Sequence, residues 1–176
     1  MPKKLWEPSK ELIKNSNLFA YEKFISKYYK YNFSRNYKKL LKWSVKNPKD
    51  FWNSIWEYFE VVGKKTDKFK LTKDLINSKF FVNSKLNFAE NLLAKNSNQK
   101  AITFVSENGY REQKSWKELN IDVKKIITFY KKINISEKDR IAAYTPNQIE
   151  TVECFLGASA IGSIWSSCSP DFGVPG

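Results

Sequence analysis

The chain contains no histidine and little cysteine, methionine or glycine. Its 176 residues include two cysteines, one methionine and six glycines. Without histidine, and with Cys154 inside an apolar helical pattern, the usual catalytic-nucleophile and zinc arrangements are excluded. We therefore expect no metal site in this chain. Two cysteines also provide no disulfide framework, so the cytoplasm is the expected compartment.

The chain has few glycines from which a glycine-rich phosphate-binding loop could form. Gly157 and Gly162 have the spacing of a Walker loop, but Ser163 and Ile164 follow where lysine and then serine or threonine are required. We therefore predict that Gly157 allows helix packing and that Gly162 caps a helix.

Signals for export or membrane insertion are also lacking. The opening segment MPKKLWEPSKEL has no apolar core, and the uncharged run over residues 154–170 is shorter than the ~20 residues of a membrane span. An apolar content of 41% with 16% aromatic residues is too high for a disordered chain. These features predict a soluble globular protein with no membrane span.

The net charge of +13 suggests a second class of function. Lysines alternate with aromatic residues over residues 23–43, as expected of a basic nucleic-acid-binding or adaptor module. Only three basic residues are arginine, and the lysine excess resembles a compositional bias of the whole chain. The aromatic residues recur at helical spacing, which favours core packing and predicts only weak, non-specific nucleic-acid binding.

Hydrophobic periodicity predicts helices in the first half of the chain. They extend from Ser16 or Asn17 to about Tyr31, from a cap at Ser34 through Trp43, and from a cap at Asn47 to Gly63. Residues 64–84 form a lysine-rich connection without a clear pattern.

The second half begins with a short helix over residues 87–93. Strands at 101–105 and 110–115 form a predicted hairpin, in which Asn108 and Gly109 provide the positive backbone angles of the turn. Ser115 and Glu118 form a capping box for a helix that ends near Ile133.

A strand-helix-strand crossover is predicted over residues 140–168. Its strands are 140–145 and 164–168, and they should be parallel and joined with right-handed connectivity. The helix between them should begin with Asn147 as its N-cap and Glu150 completing a capping box. Because this helix is apolar on nearly all sides, we expect the chain to cover it poorly and to be marginally stable or aggregation-prone.

The crossover also resembles a known family. The run AAYTPNQIETVECFLGASAIGSIWSSCSPDFG, above all Trp165 to Gly173, is similar to acetoacetyl-CoA synthetases, within the adenylate-forming acyl-CoA ligases. Similarity continues upstream at 43–59 and in LNFAENLL at 86–93. The family usually has tryptophan before Phe81 and glycine soon after it, whereas this chain has Phe80 and Val82-Asn83-Ser84, so we expect a different turn there.

The resemblance implies an incomplete α/β protein. Residues 1–93 would be the helical amino-terminal segment of the synthetase, and residues 94–176 the truncated start of its AMP-binding domain. The full-length enzyme would convert acetoacetate, ATP and CoA to acetoacetyl-CoA, AMP and pyrophosphate with Mg²⁺. Another short-chain acyl-CoA synthetase remains an alternative.

The resemblance also implies which functional residues this chain contains. The family's phosphate loop and catalytic lysine have no counterpart here, so we expect no catalytic residue and no activity from this chain alone. The loop formed by Ser169, Pro170, Asp171 and Phe172 would lie near CoA. An aspartate after proline favours a turn role for Asp171 over an acid-catalyst role.

Overall fold

The computed structural model describes residues 5–173. The chain divides into two compact units, Met1–Ser84 and Lys85–Gly176. This division lies nine residues before the domain boundary predicted after residue 93. That boundary separates family segments rather than compact units, and it stays a prediction.

The first unit is helical, as predicted. Its elements are α1 (Lys10–Lys14), α2 (Asn17–Tyr28), α3 (Tyr37–Lys46), α4 (Pro48–Tyr58) and the short strand β1 (Gly63–Lys64). Ser16 caps α2, because its Oγ accepts a hydrogen bond from the Phe19 amide at 3.2 Å. The cap predicted at Ser34 is wrong. Asn36 caps α3 instead, and Ser34 occupies a left-handed turn with φ of 50°.

Helix α4 begins where predicted but ends earlier. Pro48 occupies its first turn, although the Asn47 side chain makes no capping hydrogen bond and donates to the Trp43 carbonyl at 3.2 Å. The helix stops at Tyr58 rather than at Gly63, because Glu60 adopts a left-handed φ of 50°. Gly63 belongs to β1 and does not cap the helix.

Aromatic residues form much of the first unit's core. Its buried members are Tyr21, Ile25, Phe33, Leu40 and Trp43. The Tyr21 hydroxyl lies 2.7 Å from Ser54 Oγ, so these two buried hydroxyl groups of α2 and α4 satisfy each other.

The segment between β1 and Ser84 has little regular structure but is held by several hydrogen bonds. The Thr66 hydroxyl donates to the Val82 carbonyl at 2.7 Å, and the Thr66 amide donates to Ser84 Oγ at 2.8 Å. Asn83 has a φ of 68°. Asparagine tolerates this left-handed geometry better than most residues, so the turn forms without the glycine usual in the family.

The second unit contains the predicted hairpin and crossover. Its elements are β2 (Lys85–Leu86), α5 (Phe88–Leu92), β3 (Lys100–Val105), β4 (Arg111–Ser115), α6 (Trp116–Lys132), β5 (Arg140–Tyr144), α7 (Ile149–Ala160), β6 (Ile164–Cys168) and a 3₁₀ turn (Pro170–Phe172). Strands β3 and β4 are antiparallel. Their turn has positive φ at Gly109 only, so the expectation for Asn108 is wrong.

The capping box of α6 is confirmed. Ser115 Oγ accepts from the Glu118 amide at 3.2 Å, and the Glu118 carboxylate accepts from the Ser115 amide at 2.8 Å. These hydrogen bonds hold the pKa of Glu118 below its ordinary value, because they stabilise the carboxylate.

The crossover has the predicted strands in parallel register. Arg140 pairs with Ile164 and Tyr144 with Cys168, and Gly162 has the expected left-handed φ of 77°. Right-handed connectivity stays a prediction. The N-cap predicted at Asn147 is wrong, because Gln148 occupies that position and makes no side-chain capping bond.

Helix α7 is better covered than its composition suggested. It packs against α5, α6 and β6, and all its residues except Glu150 are buried or half-buried. The core on this side consists of Ala89, Leu119, Val123 and Leu156. Exposed apolar surface lies instead on the outer sheet face, where Tyr144 and Ile164 are 66% and 52% exposed. The poorly covered apolar residues of the crossover therefore lie in the strands and not in the helix.

Candidate functional site

The carboxyl ends of β5 and β6 form the candidate site. These parallel strands end side by side, and the Thr145 amide donates to the Cys168 carbonyl at 3.2 Å just beyond the last pair. Ligands of open parallel sheets bind outside this edge, where loops converge and backbone groups are unpaired. The loop that the family resemblance associates with CoA, Ser169 to Phe172, follows β6 directly.

This loop is a tight 3₁₀ turn fixed by its own side chains. Ser169 Oγ accepts from the Asp171 amide at 3.3 Å and donates to Asp171 Oδ2 at 2.9 Å. The Tyr144 hydroxyl donates to the Pro170 carbonyl at 2.8 Å, which ties the loop to the end of β5. Asp171 is thus a turn residue, as expected from Pro170 before it. Phe172 is 65% exposed, so much of its ring faces solvent.

The other side of the edge is the loop between β5 and α7. The Thr151 hydroxyl donates to the Pro146 carbonyl at 2.9 Å and lies 3.0 Å from Thr145 Oγ1. These two hydroxyls hold the entry to α7 in place of the predicted Asn147 cap. A cleft of about 610 Å³ separates this loop from β3.

Sequence reasoning missed a charged network that joins the hairpin to the crossover. Lys114 Nζ lies 2.6 Å from Glu153 Oε1 and 2.8 Å from Asp122 Oδ2. The Glu153 side chain is only 6% exposed. Glu153 was the available signal of this network. It is a charged residue beyond the first turn of a largely apolar helix, and a buried carboxylate requires a partner.

The network shifts the pKa values of Lys114 and Asp122. Burial alone would lower the pKa of Lys114, but its hydrogen bonds to Asp122 and Glu153 outweigh burial and raise it. Hydrogen bonds from Lys114 and Lys125 hold the pKa of Asp122 below its ordinary value. Lys114 and Asp122 are therefore charged at neutral pH, and Lys114 bridges β4, α6 and α7.

The aromatic residues of the basic segment 23–43 lie mainly in the core. Phe33 and Trp43 are buried, and Tyr31 stacks on Trp43 with ring centroids 5.2 Å apart. Tyr28 and Tyr37 remain 59% and 64% exposed. The core-packing interpretation is supported, since five of the seven rings lie in the core or pack against it.

Residues 5–173 contain no helix long and apolar enough to cross a membrane. Cys154 and Cys168 are both free thiols. Over the same range, no group of three or more cysteine, aspartate and glutamate side chains is arranged to hold a metal ion.

Comparison with known proteins supports the family resemblance. A family model described as the acetyl-coenzyme A synthetase N-terminus matches residues 37–92. The acetoacetyl-coenzyme A synthetase of Rhizobium meliloti (strain 1021) is 34% identical over 173 residues, which cover 98% of this chain and 26% of that protein. The acetoacetyl-CoA synthetase of Xenopus tropicalis is 39% identical over 148 residues, covering 80% of this chain and 22% of that protein.

A solved structure gives the same result. The acetoacetyl-CoA synthetase from Streptomyces lividans superposes with a TM-score of 0.87 at 25% identity, covering 98% of this chain and 27% of that structure. The chain thus spans about a quarter of the length of the relatives it matches. The predicted resemblance and the incomplete α/β architecture are confirmed.

Proposed function

We propose that this chain is the amino-terminal part of an acetoacetate-CoA ligase. The main support is similarity to acetoacetyl-CoA synthetases along nearly the whole chain, at 34% identity in one bacterial relative. The proposed enzyme joins acetoacetate to the α-phosphate of ATP, with Mg²⁺ as cofactor, and releases pyrophosphate. The CoA thiol then displaces AMP to give acetoacetyl-CoA. We place this reaction in the cytoplasm, where ATP and CoA are both available.

This chain contributes scaffold rather than catalytic groups. An adenylating site needs donors and cations around a phosphate that gains negative charge, which glycine-rich loops and lysines provide. The described residues present no such loop at the β5–β6 edge, where Ser169 and Asp171 bond to each other. We therefore expect the isolated chain to hold the start of the adenylating domain without performing the first step.

The 176-residue chain alone should show no acetoacetate-dependent pyrophosphate exchange with ATP and Mg²⁺. The product of the complete reading frame should show it, because the missing phosphate loop and lysine would then be present. Exchange assays on both proteins test this, with acetate and butyrate as control acids. Exchange by the isolated chain would refute the scaffold role, and preference for another acid would identify a different short-chain synthetase.

We further propose that the loop Ser169 to Phe172 lies against CoA. The support is its position at the carboxyl edge of two parallel strands and the exposed ring of Phe172. In the longer enzyme, Phe172→Ala should raise the KM for CoA about tenfold, the effect of ~1.4 kcal/mol of lost binding. Adenylation precedes CoA entry, so pyrophosphate exchange should not change.

Ser166→Ala provides a matched control, because Ser166 is an exposed residue of β6, the strand that precedes the loop. Its KM for CoA should equal that of the unaltered enzyme. If Phe172→Ala reduces exchange and thioester formation equally, the loop supports the fold and does not contact CoA.

A further inference from the structure

The net positive charge of the chain comes almost entirely from the first unit. Residues 1–84 contain 19 lysines and arginines against eight acidic residues, a net charge of +11, whereas residues 85–176 contain 12 against ten, a net charge of +2. A compositional bias acting on the whole chain would charge both units alike. The asymmetry therefore indicates a local cause.

Helix α3 concentrates this charge on its outer side. Its ten residues include Lys38, Lys39, Lys42 and Lys46 and no aspartate or glutamate. Leu40 and Trp43 are buried in the core, so the opposite side of the helix faces outward. All four lysines are exposed.

An apolar ridge runs beside the lysines. Tyr37, Leu41 and Val45 follow one another at intervals of four residues, so they align along one side of the helix. They are 64%, 49% and 72% exposed. The outer face of α3, defined as Tyr37, Lys38, Leu41, Lys42 and Val45, thus combines an apolar ridge with an adjacent lysine ridge.

The composition of this face favours a lipid partner. Nucleic acid would use the lysines and, of the ridge, only the Tyr37 ring, since Leu41 and Val45 are aliphatic and offer no ring for base stacking. An anionic bilayer surface uses both, because apolar side chains enter the boundary between headgroups and acyl chains while lysines contact lipid phosphates. The methylene stems of Lys38 and Lys42 can lie along the apolar layer with their ammonium groups in water.

We propose that the outer face of α3 docks this protein on the surface of an anionic lipid bilayer. The association is peripheral: the ridge enters the interface and the net charge of the first unit attracts the surface. Since charge attraction supplies much of the binding, salt should weaken it steeply.

Vesicle flotation of the 176-residue chain tests this proposal. The chain should float with vesicles that contain phosphatidylglycerol and not with vesicles of phosphatidylcholine alone, and raising salt from about 0.1 M to about 0.5 M should release it. The triple variant K38Q/K39Q/K42Q removes both lysines of the outer face and the neighbouring Lys39 of the same helix. It should bind at least about tenfold more weakly, because each lysine near the surface contributes separately. Leu41→Ser with Val45→Ser should also weaken binding several-fold.

A charge-matched control separates this face from total charge. The variant K117Q/K124Q/K131Q removes three exposed lysines from the second unit, and it should bind like the unaltered chain. Equal loss in both triple variants, or unchanged binding after the Leu41 and Val45 substitutions, would overturn the proposal. Failure to bind anionic vesicles would also overturn it and would point to an acidic protein segment as the partner. Circular dichroism checks that each variant is folded.

Discussion

Gly157→Val should destabilise the chain by about 3 kcal/mol, the upper end of the usual range for overpacking a core. Gly157 lies where α7 packs on α6, and a Cβ placed there would stand 2.5 Å from Ile126 Cγ2. Ile126 is β-branched and has essentially one side-chain conformation in a helix, so its methyl group cannot rotate away. The helices would have to separate, and urea unfolding should measure the loss.

A double-mutant cycle isolates the steric cause. Gly157→Ala improves helix propensity by ~1 kcal/mol, yet the variant should be less stable because the clash is larger. Combining Gly157→Ala with Ile126→Ala removes the clashing methyl group, so the double variant should be at least about 1 kcal/mol more stable than additivity predicts. If the stability effects of the two substitutions were strictly additive, a Cβ at position 157 would not clash with Ile126.

Lys114→Met should destabilise the chain by about 3 kcal/mol at neutral pH, because it leaves the Glu153 carboxylate buried without its cation. Lys114 Nζ lies 2.6 Å from Glu153 Oε1, and the two side chains are 18% and 6% exposed. Replacing both residues, as in Lys114→Met with Glu153→Met, should recover most of the loss because no unpaired charge remains. Thermal or urea unfolding of the three variants measures this.

Lys125→Met is the matched control. Lys125 contacts Asp122 at 2.8 Å, but its side chain is 72% exposed, so the loss should stay below about 0.5 kcal/mol. Similar losses for Lys114→Met and Lys125→Met would mean that burial of Glu153 is unimportant.

The same network predicts a pH dependence. The pKa of Asp122 is lowered in the folded chain. Its contribution to the free energy of unfolding is therefore present above about pH 4 and is lost as pH falls through the folded-state pKa. Lys114→Met should remove much of this acid sensitivity.

Local sequence signals predicted those elements whose determinants are close in the chain. The Ser115 and Glu118 capping box, the Gly162 cap and the parallel strands of the crossover lie where expected. The two caps depend on hydrogen bonds or backbone angles within a few residues, and each strand is marked by a short apolar run bounded by proline or glycine. The family resemblance likewise depended on a contiguous run ending in Trp165 to Gly173.

The N-cap predictions for α3 and α7 were wrong because several neighbouring residues could cap each helix. Ser34 and Asn147 are both good N-cap residues, but Asn36 and Gln148 occupy those positions. The left-handed turn at Ser34 and the hydroxyl pair of Thr145 and Thr151 determine where the chain enters each helix. Such choices depend on how the connecting segment packs.

By itself, the sequence determined the types of the longer elements, the crossover, the resemblance to acetoacetyl-CoA synthetases and the absence of histidine chemistry. Only the tertiary structure decided which residues from distant segments meet. Lys114 and Glu153 are 39 residues apart, and nothing local to either residue identifies the other as its partner. The cover of α7 and the exposure of the outer face of α3 were decided in the same way, because burial depends on what packs alongside an element and local periodicity reports only its own residues.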